Sequence, residues 1–242
     1  MLVNKEFIKN IESYERFAHG TEGTVYYDGT YLYKLYKVFD QEKFPINRSL
    51  FTGLRSDFIA FPIEEYKLSD RITIGYKMPY YEAYNVYYKG LNPNTVISDL
   101  ERAFKEILEE LNKFDDINMF DMESNILFDG KKFYLIDTDR WELNHFNLNL
   151  FYLNKCLRDS LIKLIGFTKY SKKYMDDYDF EELSHSIKYD RNATEFLYLL
   201  QLLKEFYLLK VGENPNTLDD LNLGGKLCTL IRKWWILLKI VN

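Results

Sequence analysis

Cysteine is scarce: a chain of 242 residues has only 2, Cys156 and Cys228, with no C-x-x-C. That excludes a disulfide-stapled scaffold and makes a reducing cytoplasm the expected compartment. Histidine is nearly as rare, and His19, His145 and His185 stand alone, with no H-E-x-x-H to build a metal centre. No G-x-S-x-G is present, so hydrolase chemistry has no anchor. Proline (5) and glycine (11) are too few for a collagen-like or low-complexity chain. Long apolar runs are missing too. The run 234–238 is far shorter than the roughly 20 residues a bilayer span requires. The start, Met-Leu-Val-Asn-Lys-Glu, turns polar at once and lacks a signal-peptide stretch. The sequons at Asn47 and Asn192 therefore read as accidents. Positive charge is not in excess: the net charge of −5 excludes a general nucleic-acid binder.

What is present describes a globular chain. Apolar residues make up 47% and charged residues 29%, enough for one large or two small domains with a real core. Aromatics reach 17%, with 21 Tyr and 18 Phe, and the accompanying Lys, Asn and Ile fit an AT-rich coding bias. Residues 7–17 form a mixed amphipathic segment. Residues 24–27 and 31–36 are aromatic and β-branched runs around Asp28-Gly29-Thr30, a strong hairpin signal. A short helix is expected within 40–57, then strands over 59–67 and 72–78 joined by a turn at 68–71, with Pro79 ending the second.

After Pro93 the period changes. Val96, Leu100, Ala103, Phe104, Ile107, Leu108 and Leu111 share one helix face, with Asn94 or Thr95 as the expected N-cap. A second hairpin follows, 125–128 and 132–136 around Asp129-Gly130-Lys131. Helices are expected over 148–165, 180–187, 194–211 and 223–241. The string Asn-Pro-Asn-Thr occurs at Asn92 and again at Asn214, each time before an expected helix, and reads as shared capping chemistry. Strands first and helices afterwards predict an α+β fold of two lobes.

Four features carry the candidate chemistry. Ala18-His19-Gly20-Thr21-Glu22-Gly23-Thr24-Val25 lies between two strands, and its two glycines would let backbone N–H groups approach an anion. The alternative is a loose hairpin. Lys34 sits in the next strand, placed either to meet phosphates or to face solvent by alternation, with Lys37 as a weaker competitor on the other face. Asp121-Met122-Glu123-Ser124-Asn125 follows the long helix, and Leu135-Ile136-Asp137-Thr138-Asp139 ends the second hairpin. Carboxylates and an amide at strand ends are hard oxygen donors suited to Mg²⁺. The alternative is that the aspartates are turn formers.

In this order the features resemble the protein kinase-like fold, including the bacterial small-molecule kinases that share it, over about residues 14–145. The resemblance implies a small antiparallel β lobe (1–79), a mostly helical lobe (80–242), and a cleft between them for ATP and Mg²⁺. Gly20 and Gly23 stand for the second and third glycines of G-x-G-x-x-G-x-V, and Val25 for the valine that packs on adenine. Lys34 would steady the α- and β-phosphates, and Met78-Pro79-Tyr80 would be the hinge that holds the adenine edge. Asn125 and Asp137 look like the magnesium ligands, with Asp139 as a second acid and Asp121 as catalytic base. The function so implied is transfer of the γ-phosphoryl group to a hydroxyl of a small-molecule or protein acceptor. The alternative is a pseudokinase, a nucleotide-binding or protein-interaction module without turnover.

The sequence departs from that pattern in several places. Ala18 replaces the first glycine. The position five before Asn125 is Phe120, and Asp121 is only four before, with Met119 where such kinases carry His. Between Lys34 and Pro62 the acids are Asp40, Glu42 and Asp57, none well spaced to pair with Lys34. No Ala-Pro-Glu segment follows Asp139, which disfavours a regulated protein Ser/Thr kinase. The acids at 176–182 lack a calcium-loop glycine and read as a solvated helix start. The basic amphipathic stretch 226–241, with Trp234 and Trp235, reads as core-completing rather than as a membrane-surface or partner-docking helix.

Overall fold

The computed structural model describes residues 1–37, 51–69, 72–119, 121–138, 141–143, 148–164 and 195–221. Their structure is mixed α/β, with a five-stranded antiparallel sheet and several helices, compatible with the α+β class. The sheet is built from β1 (Glu15–His19), β2 (Gly23–Tyr27), β3 (Tyr31–Tyr36), β4 (Glu64–Ser69) and β5 (Ile72–Pro79), in the order β1-β2-β3-β5-β4. The hairpin around Asp28 forms as its turn chemistry requires, with Val25 opposite Lys34 and Lys34 opposite Tyr76. One face packs on α1 (Lys5–Glu12) through Ile11, Tyr33, Tyr66 and Ile74. Asn4 caps α1 by accepting the Phe7 N–H at 2.9 Å.

Beyond Pro79 the chain forms β6 (Tyr84–Asn85), α2 (Val86–Lys89), α3 (Ile97–Lys113) and β7 (Ile117–Asn118). A 3₁₀ turn, Met122–Asn125, leads into β8 (Ile126–Phe128), β9 (Phe133–Leu135) and β10 (Glu142–Leu143). Two further helices follow, α4 (Asn149–Leu164) and α5 (Glu195–Val211). Of the α3 face expected from its spacing, Leu100, Ala103, Phe104, Ile107 and Leu111 are buried and Leu108 is half-buried, with Val96 half-buried just ahead of the helix. Ile97, outside that expected set, is buried too. That face meets α4, α5 and the β8–β9 hairpin in one large core. No helix among the described residues is long and apolar enough to cross a membrane.

Three local expectations are corrected. The strand expected over 59–67 begins only at Glu64, because 58–60 leaves the large sheet and bonds to Leu135 of β9 instead. Residues 51–57 are turns and bends rather than helix. The N-cap of α3 is Val96, which has no side-chain cap; the Ile97 N–H donates to the Asn216 carbonyl at 2.9 Å. The expected segments 180–187 and 223–241, the rest of the helix expected within 40–57, and Trp234 and Trp235 lie outside the described residues.

Candidate functional site

A cleft of about 740 Å³ lies between the inner strands of the large sheet and the segment that runs from the Asp121 loop to Asp137. Nine of the sequence-predicted residues line it: Gly20, Gly23, Val25, Lys34, Met78, Tyr80, Asp121, Asn125 and Asp137. Asp139 lies outside the described residues. The cleft has an apolar end and a charged end. At the apolar end Val25, Leu32 and Met78 of the sheet stand across from Leu127 and Ile136, a slot suited to a flat ring. Tyr80 closes its edge with Tyr27 and Phe17, at ring-centroid distances of 4.6 and 5.6 Å.

At the charged end Lys34 decides the geometry. Strand alternation left open a solvent-facing lysine, but the residue is buried, 7% exposed. Its ammonium pairs with Asp137 Oδ1 and lies 3.4 Å from Glu22 Oε2. Burying an ammonium without such partners would be costly. Lys37 does not compete for the role: its Nζ donates to the Gly20 carbonyl at 3.0 Å and fastens the glycine turn. At the rim His19 Nδ1 lies 2.9 Å from Thr24 Oγ1. The Lys37 charge first, then burial and Arg16, hold the pKa of His19 below its ordinary value.

The opposite wall is a tightly bonded loop. The Asp121 carbonyl accepts from the Ser124 N–H (3.2 Å), the Ser124 hydroxyl (3.0 Å) and Asn125 Nδ2 (3.1 Å). With its amide nitrogen donated there, the acceptor that Asn125 has left to offer is its side-chain oxygen. Asp121 (φ 55°) and Asp137 (φ 61°) are the two non-glycine residues with left-handed backbone among those described. Such a conformation costs an L-residue roughly 1–2 kcal/mol, least for Asp and Asn. Both of these positions are carboxylates that line one cleft.

Two residues that matter here escaped the sequence reading. Glu22 is legible as the acid inside the glycine turn, but the family pattern places the partner of Lys34 downstream of that lysine. Asn149 carries no local signal. It is fully buried, accepts from the Met119 N–H at 2.9 Å and donates to the Ile117 carbonyl at 2.7 Å, anchoring the stem of the Asp121 loop. Among the described residues no three His, Cys, Asp or Glu side chains are grouped to hold a metal ion. No protein-family model matches the chain, and comparison with curated proteins finds no match.

Proposed function

We propose that the chain is an ATP-dependent phosphotransferase of two-lobed, protein kinase-like architecture, with its nucleotide site in the cleft between residues 1–79 and 80–242. The observation that carries the reading is the ion pair between buried Lys34 and Asp137, made across a cleft that also holds the Asp121–Asn125 loop and an apolar slot. An ammonium held inside such a cleft is suited to a polyphosphate, and the slot beside it to a purine ring.

Asn125 and Asp137 fit a magnesium ion delivered with the nucleotide. They are oxygen donors on one cleft, and phosphate-bound Mg²⁺ usually takes only one or two protein carboxylates. Bound there, the ion would neutralise charge on the triphosphate. The residues would do the rest by positioning. Lys34 would hold the phosphates and Gly20 and Gly23 the turn above them. Asp121 would accept the proton of the acceptor hydroxyl as its oxygen bonds to the γ-phosphorus, the β–γ bridge breaks and ADP departs. The pseudokinase reading keeps one specific support, the four-residue spacing from Asp121 to Asn125.

Thermal unfolding with ATP, with and without Mg²⁺, tests the site on wild type and Asp137→Asn. Ligand at about 100 times its Kd stabilises the native state by about 2.7 kcal/mol, and each kcal/mol is worth about 2–4 °C in a chain of this size. The expected result is a Mg²⁺-dependent rise that Asp137→Asn abolishes. No rise in any condition would sink the nucleotide reading. If the rise is present, ATP turnover that falls in Asp121→Ala, by roughly 10²–10⁴, separates a kinase from a pseudokinase.

A further inference from the structure

The turn that carries Asp121 and Asn125 has a cleft face and a back. Asp121, Ser124 and Asn125 line the cleft; Met122 and Glu123 do not. The turn is a single 3₁₀ element of four residues, entered through the left-handed Asp121. Such short pieces have poor hydrogen-bond geometry, so ties from outside set where one sits. Behind it Met122 is buried in the large core, and the Glu123 carboxylate accepts from the Lys155 ammonium of α4 at 2.8 Å. Both partners of that pair are half-buried. The bond to Glu123 outweighs burial and holds the Lys155 pKa above its ordinary value, with the Asp159 charge assisting and that of Arg158 opposing. The same helix grips the stem of the loop, where Asn149 bonds the Met119 N–H and the Ile117 carbonyl. From a third side the Asn85 amide donates to the Ser124 carbonyl at 2.7 Å.

Resting on the nucleotide reading, we infer that Lys155 is a positioning residue, which through Glu123 sets where Asn125 stands toward a nucleotide-bound Mg²⁺. Lys155 does not line the cleft, so it acts only through the turn. Asn125 follows Glu123 by two positions, and its amide nitrogen donates to the Asp121 carbonyl. A shift of the turn therefore moves the Asn125 oxygen and Asp121 together. Removing a group that holds a metal ligand in place costs about 10–100-fold in metal affinity. Lys34 and the glycine turn belong to the sheet, so what they would give a metal-free nucleotide does not pass through Lys155.

The test takes full-length wild type, Lys155→Met, Glu123→Lys, Lys155→Glu and the double variant that carries both reversals. Each is titrated calorimetrically with the non-hydrolysable ATP analogue adenylyl imidodiphosphate, in Mg²⁺ and in EDTA. Circular dichroism checks folding. Wild type should bind more tightly in Mg²⁺. Lys155→Met should lose about tenfold of that gain and keep its affinity in EDTA. Each reversal alone should lose at least as much, and the double variant, which restores the pair in the opposite sense, should recover most of it. Amide exchange adds a reading that needs no ligand. The Ser124 N–H, bonded to the Asp121 carbonyl, should exchange faster in Lys155→Met than in wild type. Four results would each overturn this inference alone: unchanged Ser124 exchange, a full Mg²⁺ gain in Lys155→Met, a loss equal in Mg²⁺ and EDTA, or a double variant no better than the single reversals. Wild type that binds equally in both conditions would overturn the magnesium assignment of Asn125 and this inference with it. Wild type that binds in neither would overturn the nucleotide reading as well, whatever the exchange rates show.

Discussion

Gly23 and Gly75 approach β3 from its two sides. A Cβ at Gly23 would stand 2.2 Å from the Leu35 carbonyl oxygen, and one at Gly75 would stand 2.1 Å from that of Lys34. No side chain fits at either distance. Gly23 therefore serves the sheet that presents Lys34, whatever it also does for a ligand, whereas a Cβ at Gly20 would meet nothing within 4 Å. Gly23→Ala is expected to lower stability by about 1–3 kcal/mol, the usual cost of overpacking. Gly20→Ala should melt within about one degree of wild type, a difference that corresponds to less than about 0.5 kcal/mol in a chain of this size. Equal melting temperatures for the two variants would refute the distinction. The glycine spacing was legible in the sequence. Which glycine the backbone needs was not, because the colliding carbonyl belongs to the neighbouring strand.

The two hairpins use one device. Asp28 accepts from the N–H groups of Thr30 (2.8 Å) and Tyr31 (2.7 Å) and from the Tyr33 hydroxyl (2.6 Å). Asp129 accepts likewise from Lys131, Lys132 and Tyr134, at 2.7, 2.7 and 2.8 Å. Gly29 and Gly130 take the left-handed position beside each aspartate. Burial pushes the Asp28 carboxyl up, but the bonds from Tyr33, Tyr31 and Thr30 and the Lys77 charge outweigh it and leave the pKa below its ordinary 3.8. A carboxyl depressed in the native state contributes stability that is whole above its unfolded pKa and lost as pH falls through the native value. Asp28→Asn should therefore melt below wild type near pH 7, with the gap closing as pH drops below about 4. A gap that stays constant down to about pH 2 would show that the charge is not what the turn uses. Asp-Gly between aromatic runs announced both hairpins; the tyrosine latch five residues on is the part that spacing alone left unread.

On the scale of the whole molecule, the two Asn-Pro-Asn-Thr strings meet. The Ile97 N–H, an orphan at the start of α3, finds the Asn216 carbonyl, while the N–H groups of Leu218 and Asp219 donate to Thr95 and Pro93 at 3.0 and 2.9 Å. Val96 and Thr217 form an antiparallel bridge. Below it Leu218 is fully buried in the core with Leu221 and Leu91. Leu218→Ala should cost about 2–5 kcal/mol as a buried-leucine truncation, read as a fall in Tm of about 2–4 °C for each kcal/mol. A cost below about 1 kcal/mol would mean that this closure carries little of the stability. The repeated string does act on a helix start, as its composition implied. It does so by pairing its two copies rather than by capping with its own side chains.

What this sequence determined by itself is local chemistry of short range. The two Asp-Gly hairpins, β8–β9 among them, and the buried face of α3 follow from turn residues and periodicity whose partners lie a few positions away. The tertiary structure decided everything whose partner is distant. Lys34 finds Asp137 across 103 positions, and the Met119 N–H finds Asn149 across 30. Residues 58–60 leave an expected strand because Leu135 competes for their backbone groups. A buried charge or an unpaired N–H must be satisfied by whatever the fold brings near. The residues of the cleft could be read as candidates from their order, but the pairing of Lys34 with Asp137 arises only when the sheet and the segment that ends at Asp137 come together.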